Sequence, residues 1–148
     1  MPKFPRLIVA AMVTAGLTVA LASQPAYAAT KLTSAQARAI LIRAAHHHGL
    51  NPNFVLAVSY WESGWNQAAR SRTGAVGLMQ VEPYTAAWAG PALLRSYLDQ
   101  LHDPKLTLAA YYQGLGAVRR HGIYPSSRSY VDGIWKLRNQ FQRAHLGG

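Results

Sequence analysis

Residues 51–82 read NPNFVLAVSYWESGWNQAARSRTGAVGLMQVE, and this stretch decides how the chain can fold. Asn51 is suited to cap a helix, and Pro52 is suited to its first position, where a missing backbone N–H loses no hydrogen bond. Apolar residues then recur at helical spacing until Gly64, and glycine commonly follows the last turn of a helix. The pattern predicts an apolar helix over residues 52–63, followed by a polar, glycine-containing loop.

The last turn of this predicted helix carries a glutamate, and glutamate is rare in the chain. The sequence contains two, Glu62 and Glu82. Glu62 lies between Trp61 and Trp65, and a carboxyl group beside indole rings is expected to lose hydration, which disfavours its ionised form. Such a group can stay protonated near neutral pH and act as a general acid. A solvated carboxylate at a helix end is the alternative interpretation of the same pattern.

The flanking sequence predicts further helices and lacks the alternation that is typical of strands. Helix boundaries are indicated by a capping box at Thr33 and Gln36, stops at Gly49 and Gly114, a start at Asp103-Pro104, and a cap at Ser126 or Ser127. We expect Gly90-Pro91 to break a helical stretch. The last helix has an apolar stripe formed by Tyr130, Ile134, Leu137 and Phe141. The sequence therefore predicts a mainly α domain.

Composition limits the classes of protein that the chain can be. It has 148 residues, which suits one modest domain, and 50% of them are apolar, which excludes a disordered chain. The absence of cysteine excludes a disulfide scaffold, a cysteine metal site and thiol catalysis. The formal net charge of +10 predicts an anionic partner.

Residues 1–28 have the layout of a secretory signal peptide. Two basic residues are followed by an apolar run over residues 7–22, and the run leads to Ala26-Tyr27-Ala28, an A-x-A cleavage signal. We therefore predict secretion, with cleavage that leaves residues 29–148 as one domain. An uncleaved membrane anchor is the alternative. Outside the cell, the expected anionic partners are cell-wall polymers and lipid headgroups, and we expect no nucleic-acid partner.

Three motifs occur in a fixed order along the chain. They are Glu62-Ser63, the run Gly74-Ala75-Val76-Gly77-Leu78-Met79-Gln80, and Ala109-Ala110-Tyr111. Together with the later pair Tyr130-Val131, they resemble the catalytic domain of lytic transglycosylases, which is a member of the lysozyme-like superfamily. The resemblance covers about residues 33 to 142. It implies a mainly α, lysozyme-like fold of the goose-type lysozyme or lytic transglycosylase kind, with a substrate cleft.

The resemblance also implies a reaction and a set of site residues. The reaction cleaves the β-1,4 bond between N-acetylmuramic acid and N-acetylglucosamine of peptidoglycan and forms a 1,6-anhydro ring. Glu62 matches the single catalytic acid of the family. The implied substrate-binding residues are Ser71, Gly77, Met79, Gln80 and Tyr111. No cofactor and no metal are implied, and we expect a monomer that binds glycan strands and does not remain inserted in a membrane after signal cleavage.

The chain departs from the family pattern in three places. Tyr112 stands where the family commonly has Asn, Glu82 replaces an apolar residue, and the segment 86–108 is shortened. If Glu82 faced Glu62 across the cleft, it could hold a water molecule, and the enzyme would be a hydrolytic muramidase. A shortened cleft wall leaves a non-catalytic peptidoglycan-binding protein as a second alternative. A cationic membrane-active protein is a third.

Overall fold

The computed structural model describes residues 32–81 and 89–148, and in these ranges the chain is mainly helical. The helices are α1 (Ser34–His47), α2 (Pro52–Ser63), α3 (Ala89–Leu101), α4 (Pro104–Gln113), α5 (Leu115–His121) and α6 (Arg128–Arg143), with a 3-10 turn at Pro125–Ser127. The predicted mainly α fold is confirmed. The predicted signal peptide and Glu82 lie outside the described residues.

Three of the helix starts that the sequence indicates are capped by side chains, as predicted. The Thr33 hydroxyl accepts from the backbone N–H of Gln36 at 3.2 Å, and the Gln36 side chain accepts from the backbone N–H of Thr33 at 2.9 Å, which completes the capping box of α1. Asn51 caps α2 by accepting from the Phe54 N–H at 3.1 Å. Asp103 caps α4 in the same way. These bonds satisfy backbone donors that have no partner inside a helix.

The predicted break at Gly90-Pro91 is wrong, because both residues lie in the first turn of α3. Proline is tolerated there, since the N–H groups of a first turn have no intrahelical acceptor. Gly90 has a packing role instead. A Cβ built on Gly90 would lie 2.7 Å from Cβ of Met79, so the absence of a side chain lets α3 approach the loop that follows α2.

The sequence interpretation also missed α5 and misjudged one cap. Gly114 ends α4 as predicted, but its backbone (φ 91°) turns the chain directly into the short helix α5. Ser127 occupies the position before α6, yet its side chain makes no capping hydrogen bond and its hydroxyl is buried without a partner among the described residues. The start of α6 is set by the preceding 3-10 turn.

The central element is α2, which packs against both α1 and α6, while α4 packs against α3, α5 and α6. Residues 53–59 of α2 are all buried, so this helix has no polar face along most of its length. The fully buried larger side chains of the core include Val55, Leu56, Val58, Leu94, Leu108, Val131 and Ile134. The core therefore holds α2 from several sides and positions its C-terminal end.

Within the described parts of the chain, no helix is long and apolar enough to span a bilayer.

Candidate active site

Glu62 lies in the last turn of α2, where the helix leaves the core and its side chains become partly exposed. Gly64 ends the helix in the left-handed conformation (φ 63°), and its N–H donates to the carbonyl of Tyr60 at 2.8 Å. A residue with a Cβ would be strained at that backbone conformation. The turn therefore places a half-buried carboxyl group at the border between the core and the following loop.

The hydroxyl of Tyr130, on α6, donates a hydrogen bond to Oε1 of Glu62 at 2.8 Å. The Tyr130 ring is 5% exposed, so the phenol reaches the carboxyl group from inside the core. A hydrogen bond to a carboxyl group in a partly buried position restricts its rotation and is stronger than the same bond in water. The sequence interpretation placed Tyr130 in the apolar stripe of the last helix and in the pair Tyr130-Val131 that matches the family, but it did not predict that the hydroxyl touches Glu62.

The carbonyl group of Leu78 attaches the loop over residues 64–81 to α2. The carbonyl oxygen of Leu78 accepts from the hydroxyl of Ser59 at 2.8 Å and from the hydroxyl of Ser63 at 2.9 Å. Ser59 is fully buried, and Ser63 is the neighbour of Glu62 in the chain. Because two donors share one buried acceptor, the position of this loop relative to Glu62 is defined by hydrogen bonds as well as by packing.

A second attachment joins the same loop to α4. The Tyr111 hydroxyl donates to the carbonyl oxygen of Met79 at 2.9 Å. The Met79 side chain is 1% exposed and packs against Gly90 in the core. Met79 therefore contributes packing and a carbonyl group at this position. Contact of the Met79 side chain or of Tyr111 with substrate stays a prediction.

Gln80 and Gly77 hold the end of the loop in a tight turn. The Gln80 side-chain amide donates to the carbonyls of Ala69 (3.2 Å) and Gly77 (3.0 Å), and the Gly77 N–H donates to Ala69 at 2.9 Å. Gln80 has φ 47°, a left-handed conformation that costs a residue with a side chain about 1–3 kcal/mol. Such strain is kept only where the surroundings enforce it. The predicted contact of Gln80 and Gly77 with sugar is not tested by this arrangement.

Ser71 organises the other half of the loop. Its hydroxyl accepts from the backbone N–H of Ala75 at 2.9 Å and shares a hydrogen bond with the Thr73 hydroxyl at 2.9 Å. The Ser71 N–H donates to the Ala75 carbonyl at 2.8 Å, which closes a small turn. Four of the predicted site residues, Ser71, Gly77, Met79 and Gln80, thus build one loop that is attached beside Glu62. Their roles in substrate binding stay predictions.

The two tryptophans that flank Glu62 in sequence have different surroundings. Trp65 belongs to the core: its indole N–H donates to the Leu56 carbonyl at 3.0 Å, and its ring lies 5.5 Å from that of Phe141. Trp61 is 43% exposed and its ring is directed toward α6, where it meets Tyr130 edge-on at 6.2 Å. Aromatic rings therefore surround the tyrosine that holds Glu62. No group of three or more His, Asp or Glu side chains within residues 32–81 and 89–148 could hold a metal ion.

Comparison with protein families gives a match over part of the chain. Residues 39–105 match the family model of the transglycosylase SLT domain. The matched range contains the second part of α1, all of α2, the loop with its glycine-rich motif and α3. The matched range ends before Tyr111 on α4 and Tyr130 on α6. These two residues of the candidate site are therefore not covered by the match.

Comparison with individual proteins gives similarity to two transglycosylases. The chain is 33% identical over 103 residues to membrane-bound lytic murein transglycosylase F of Desulfosudis oleivorans, covering 55% of this chain and 23% of that protein. It is 35% identical over 85 residues to the transglycosylase of Enterobacteria phage PRD1, covering 48% of this chain and 32% of that protein. The chain thus spans about a quarter to a third of the length of these two relatives.

A solved structure is similar in fold. It is an inactive mutant of the lytic transglycosylase Slt from Pseudomonas aeruginosa, with a TM-score of 0.64 and 24% identity, covering 74% of this chain and 24% of that one. The similarity confirms the predicted lysozyme-like fold.

The shared acceptor on Leu78 leads to a stability prediction. Ser59→Ala and Ser63→Ala should each lower the free energy of unfolding by about 1 kcal/mol, because the carbonyl keeps one donor in either variant. The double variant should lose more than the sum, by about 1–3 kcal/mol, because the buried carbonyl then has neither donor. Urea denaturation measures the three values, with Ser96→Ala on the exposed side of α3 as the control. If the loss of unfolding free energy in the double variant equalled the sum of the two single losses, the idea that both serines donate to the Leu78 carbonyl would be contradicted.

Proposed function

We propose that this chain, which carries an SLT-type domain, is a peptidoglycan lytic transglycosylase. It would cleave the β-1,4 bond between N-acetylmuramic acid and N-acetylglucosamine and leave a 1,6-anhydro-N-acetylmuramic acid end. The single observation that carries the proposal is the Glu62 carboxyl group, held by Tyr130 beside a loop that contains the glycine-rich motif. Similarity to a lytic murein transglycosylase and to a phage transglycosylase supports the same activity.

In the first step of the proposed reaction, Glu62 acts as a general acid. Because the Tyr130 hydroxyl donates to Oε1, that oxygen serves as an acceptor, and the acidic proton is carried by Oε2. Oε2 gives this proton to the bridging oxygen while the bond from C1 of the muramic acid residue breaks. Glu62 becomes a carboxylate, which the Tyr130 hydroxyl stabilises, and the sugar ring becomes oxocarbenium-like.

In the second step, the same carboxylate acts as a general base. It removes the proton from the C6 hydroxyl of the same sugar, and the C6 oxygen bonds to C1 to close the anhydro ring. The acetamido group of the substrate can stabilise C1 between the two steps. Glu62 ends protonated, no water is consumed, and the reaction requires one carboxyl group instead of the pair used by most glycosidases. A positioned acid and base contributes about 10²–10⁴-fold, so orientation of the glycan has to supply the rest.

The substrate-binding roles of Ser71, Gly77, Met79, Gln80 and Tyr111 form part of the proposal. In this chain each of them also maintains the loop, so we propose that they act by shaping the backbone against which the sugar lies. Gly77 in particular has φ 75° and leaves room where a side chain would project. A loop that is held by its own hydrogen bonds presents carbonyl and N–H groups in fixed positions. Binding of a glycan then loses little conformational entropy, because the loop is already ordered.

We further propose that the protein is exported, acts as a monomer on glycan strands in the cell wall, and does not stay inserted in a membrane. The charge balance supports an anionic polymer as partner, since the described residues include 12 Lys and Arg against 4 Asp and Glu. Carboxylates of peptide stems and phosphates of wall polymers are the anions available there. No nucleic acid, cofactor or metal enters the proposal.

The test of the proposed function is Glu62→Gln, which keeps the size of the side chain and removes the acidic proton. We expect release of soluble fragments from purified peptidoglycan to fall by at least about 100-fold, because a positioned acid and base is lost. Asp132→Asn is the matched control, since Asp132 is an exposed carboxylate on α6 that pairs with Lys105 at 3.7 Å, and it should leave the rate unchanged.

Mass spectrometry of the fragments separates the proposed reaction from its alternatives. Anhydro ends support the lytic transglycosylase, and reducing ends would indicate a hydrolytic muramidase. Binding without fragments in the unsubstituted chain would indicate a non-catalytic peptidoglycan-binding protein. Leakage of anionic liposomes in the absence of glycan would indicate a membrane-active protein. Equal activity of the Glu62→Gln chain and the unsubstituted chain would overturn the assignment of Glu62.

Export leads to a separate prediction. When the chain is produced with residues 1–28 in a bacterial host, the protein recovered outside the cytoplasm should begin at Ala29, because the A-x-A signal ends at Ala28. Intact mass spectrometry measures the start. Changing Ala26 and Ala28 to Phe should block this cleavage. A recovered protein that begins at Met1 would instead support an uncleaved anchor.

A further inference from the structure

The ring of Tyr130 is held between aromatic side chains from two other helices. Tyr112, on α4, stacks on it with 4.5 Å between ring centroids and 23° between ring planes. Trp61, on α2, meets it edge-on at 6.2 Å and 84°. Offset stacking and edge-to-face contact are the two favoured geometries of aromatic pairs. Three helices thus meet at this one phenol ring.

The contact with Trp61 depends on Gly133. A Cβ at Gly133 would lie 2.3 Å from Cη2 of Trp61, so any side chain there would displace the indole. Gly133 is three residues after Tyr130 on α6, on the neighbouring part of the same helix face. Trp61 therefore fills the space next to Gly133 on α6. The stacked partner of the Tyr130 ring is Tyr112.

The position of the ring decides the position of its hydroxyl. The Tyr130 hydroxyl donates to Glu62 at 2.8 Å, and hydrogen bonds weaken steeply when the distance or the angle departs from its optimum. The outer torsion of tyrosine is weakly restricted, so what packs against the ring sets the tilt of the ring and its plane. The tilt places the hydroxyl oxygen, and the ring plane sets the direction in which the O–H donates, because a phenolic O–H prefers to lie in that plane. Tyr112 is thus coupled to the carboxyl group through one rigid ring.

We propose that Tyr112 is a positioning residue for Glu62, acting through Tyr130. This inference rests on the proposed function and deepens it, since it names a residue that orients the acid without touching the reacting atoms. In the family that the sequence resembles, Asn commonly stands at this position, and an amide side chain offers no ring to stack. In this chain the ring at position 112 makes the stacked pair with Tyr130 possible.

The experiment compares Tyr112→Phe with Tyr112→Leu, each alone and combined with Tyr130→Phe. Tyr112→Phe keeps the stacked ring and should retain kcat within about twofold. Tyr112→Leu should lower kcat roughly 10-fold with little change in KM, because the acid loses its orientation while the glycan still binds. In the Tyr130→Phe background, Tyr112→Leu should cause no further loss, because the hydroxyl through which it acts is gone.

Tyr124→Leu is the matched control. Tyr124 is also a half-buried tyrosine with a stacked partner, His121, at 5.9 Å, and it lies in the turn before α6. Its substitution should leave kcat unchanged. Thermal unfolding followed by circular dichroism verifies that each variant is folded at the assay temperature.

A second readout does not depend on catalysis. The chain contains two glutamates, so labelling glutamate with ¹³C at the side-chain carboxyl gives two resonances, and Glu62→Gln identifies the one from Glu62. Tyr112→Leu should move this resonance toward its position in Tyr130→Phe, while Tyr112→Phe should leave it unchanged. An unmoved resonance in Tyr112→Leu, or additive kinetic losses in the double variant, would overturn the proposal. Inactivity of the unsubstituted chain would overturn the proposed function alone.

Discussion

The hydrogen bond from the Tyr130 hydroxyl to Glu62 connects the last long helix to the end of the buried one. Everything else in the candidate site is arranged around that connection. The apolar helix α2 ends at Gly64, where a left-handed turn stops the helix and leaves the carboxyl group at the edge of the core. Helix α6 is anchored by its own apolar stripe, and it brings a phenol to that edge. A carboxyl group held in this way has a restricted orientation at the edge of the core.

The loop beside the carboxyl group is ordered by polar contacts, although it has little regular secondary structure. The Leu78 carbonyl binds two serine hydroxyls of α2, and the Met79 carbonyl binds the Tyr111 hydroxyl of α4. Gln80 adopts a left-handed backbone conformation inside this framework. Strain of this kind is maintained where the surroundings enforce it, and it often occurs at sites that bind ligands. The acceptors that position the loop are thus backbone carbonyl groups. Every residue type has such a group, so these acceptors do not depend on the side chains at positions 78 and 79.

The sequence predicted those parts of the fold that depend on local chemistry. The capping box at Thr33, the cap at Asn51 and the mainly helical fold are confirmed, because each follows from neighbours in the chain. The break at Gly90-Pro91 was wrong, because a first helical turn tolerates proline and tertiary packing requires the glycine. The hydroxyl of Tyr130 was missed because it is 68 residues from Glu62 in sequence, and the same residue satisfies an apolar pattern. A tyrosine packs through its ring and donates through its hydroxyl group, so hydrophobic periodicity alone does not reveal which of the two roles matters.

The proposed reaction requires the glycan to lie against Glu62 in the orientation that Tyr130 sets. The most direct measurement is a crystal structure of the Glu62→Gln chain with a bound tetrasaccharide of peptidoglycan. We expect the bridging oxygen within about 3.2 Å of the side chain at position 62, and the Tyr130 hydroxyl in contact with the other terminal atom of that side chain. A tetrasaccharide bound elsewhere on the domain, with position 62 out of contact with any glycosidic oxygen, would contradict the proposed reaction.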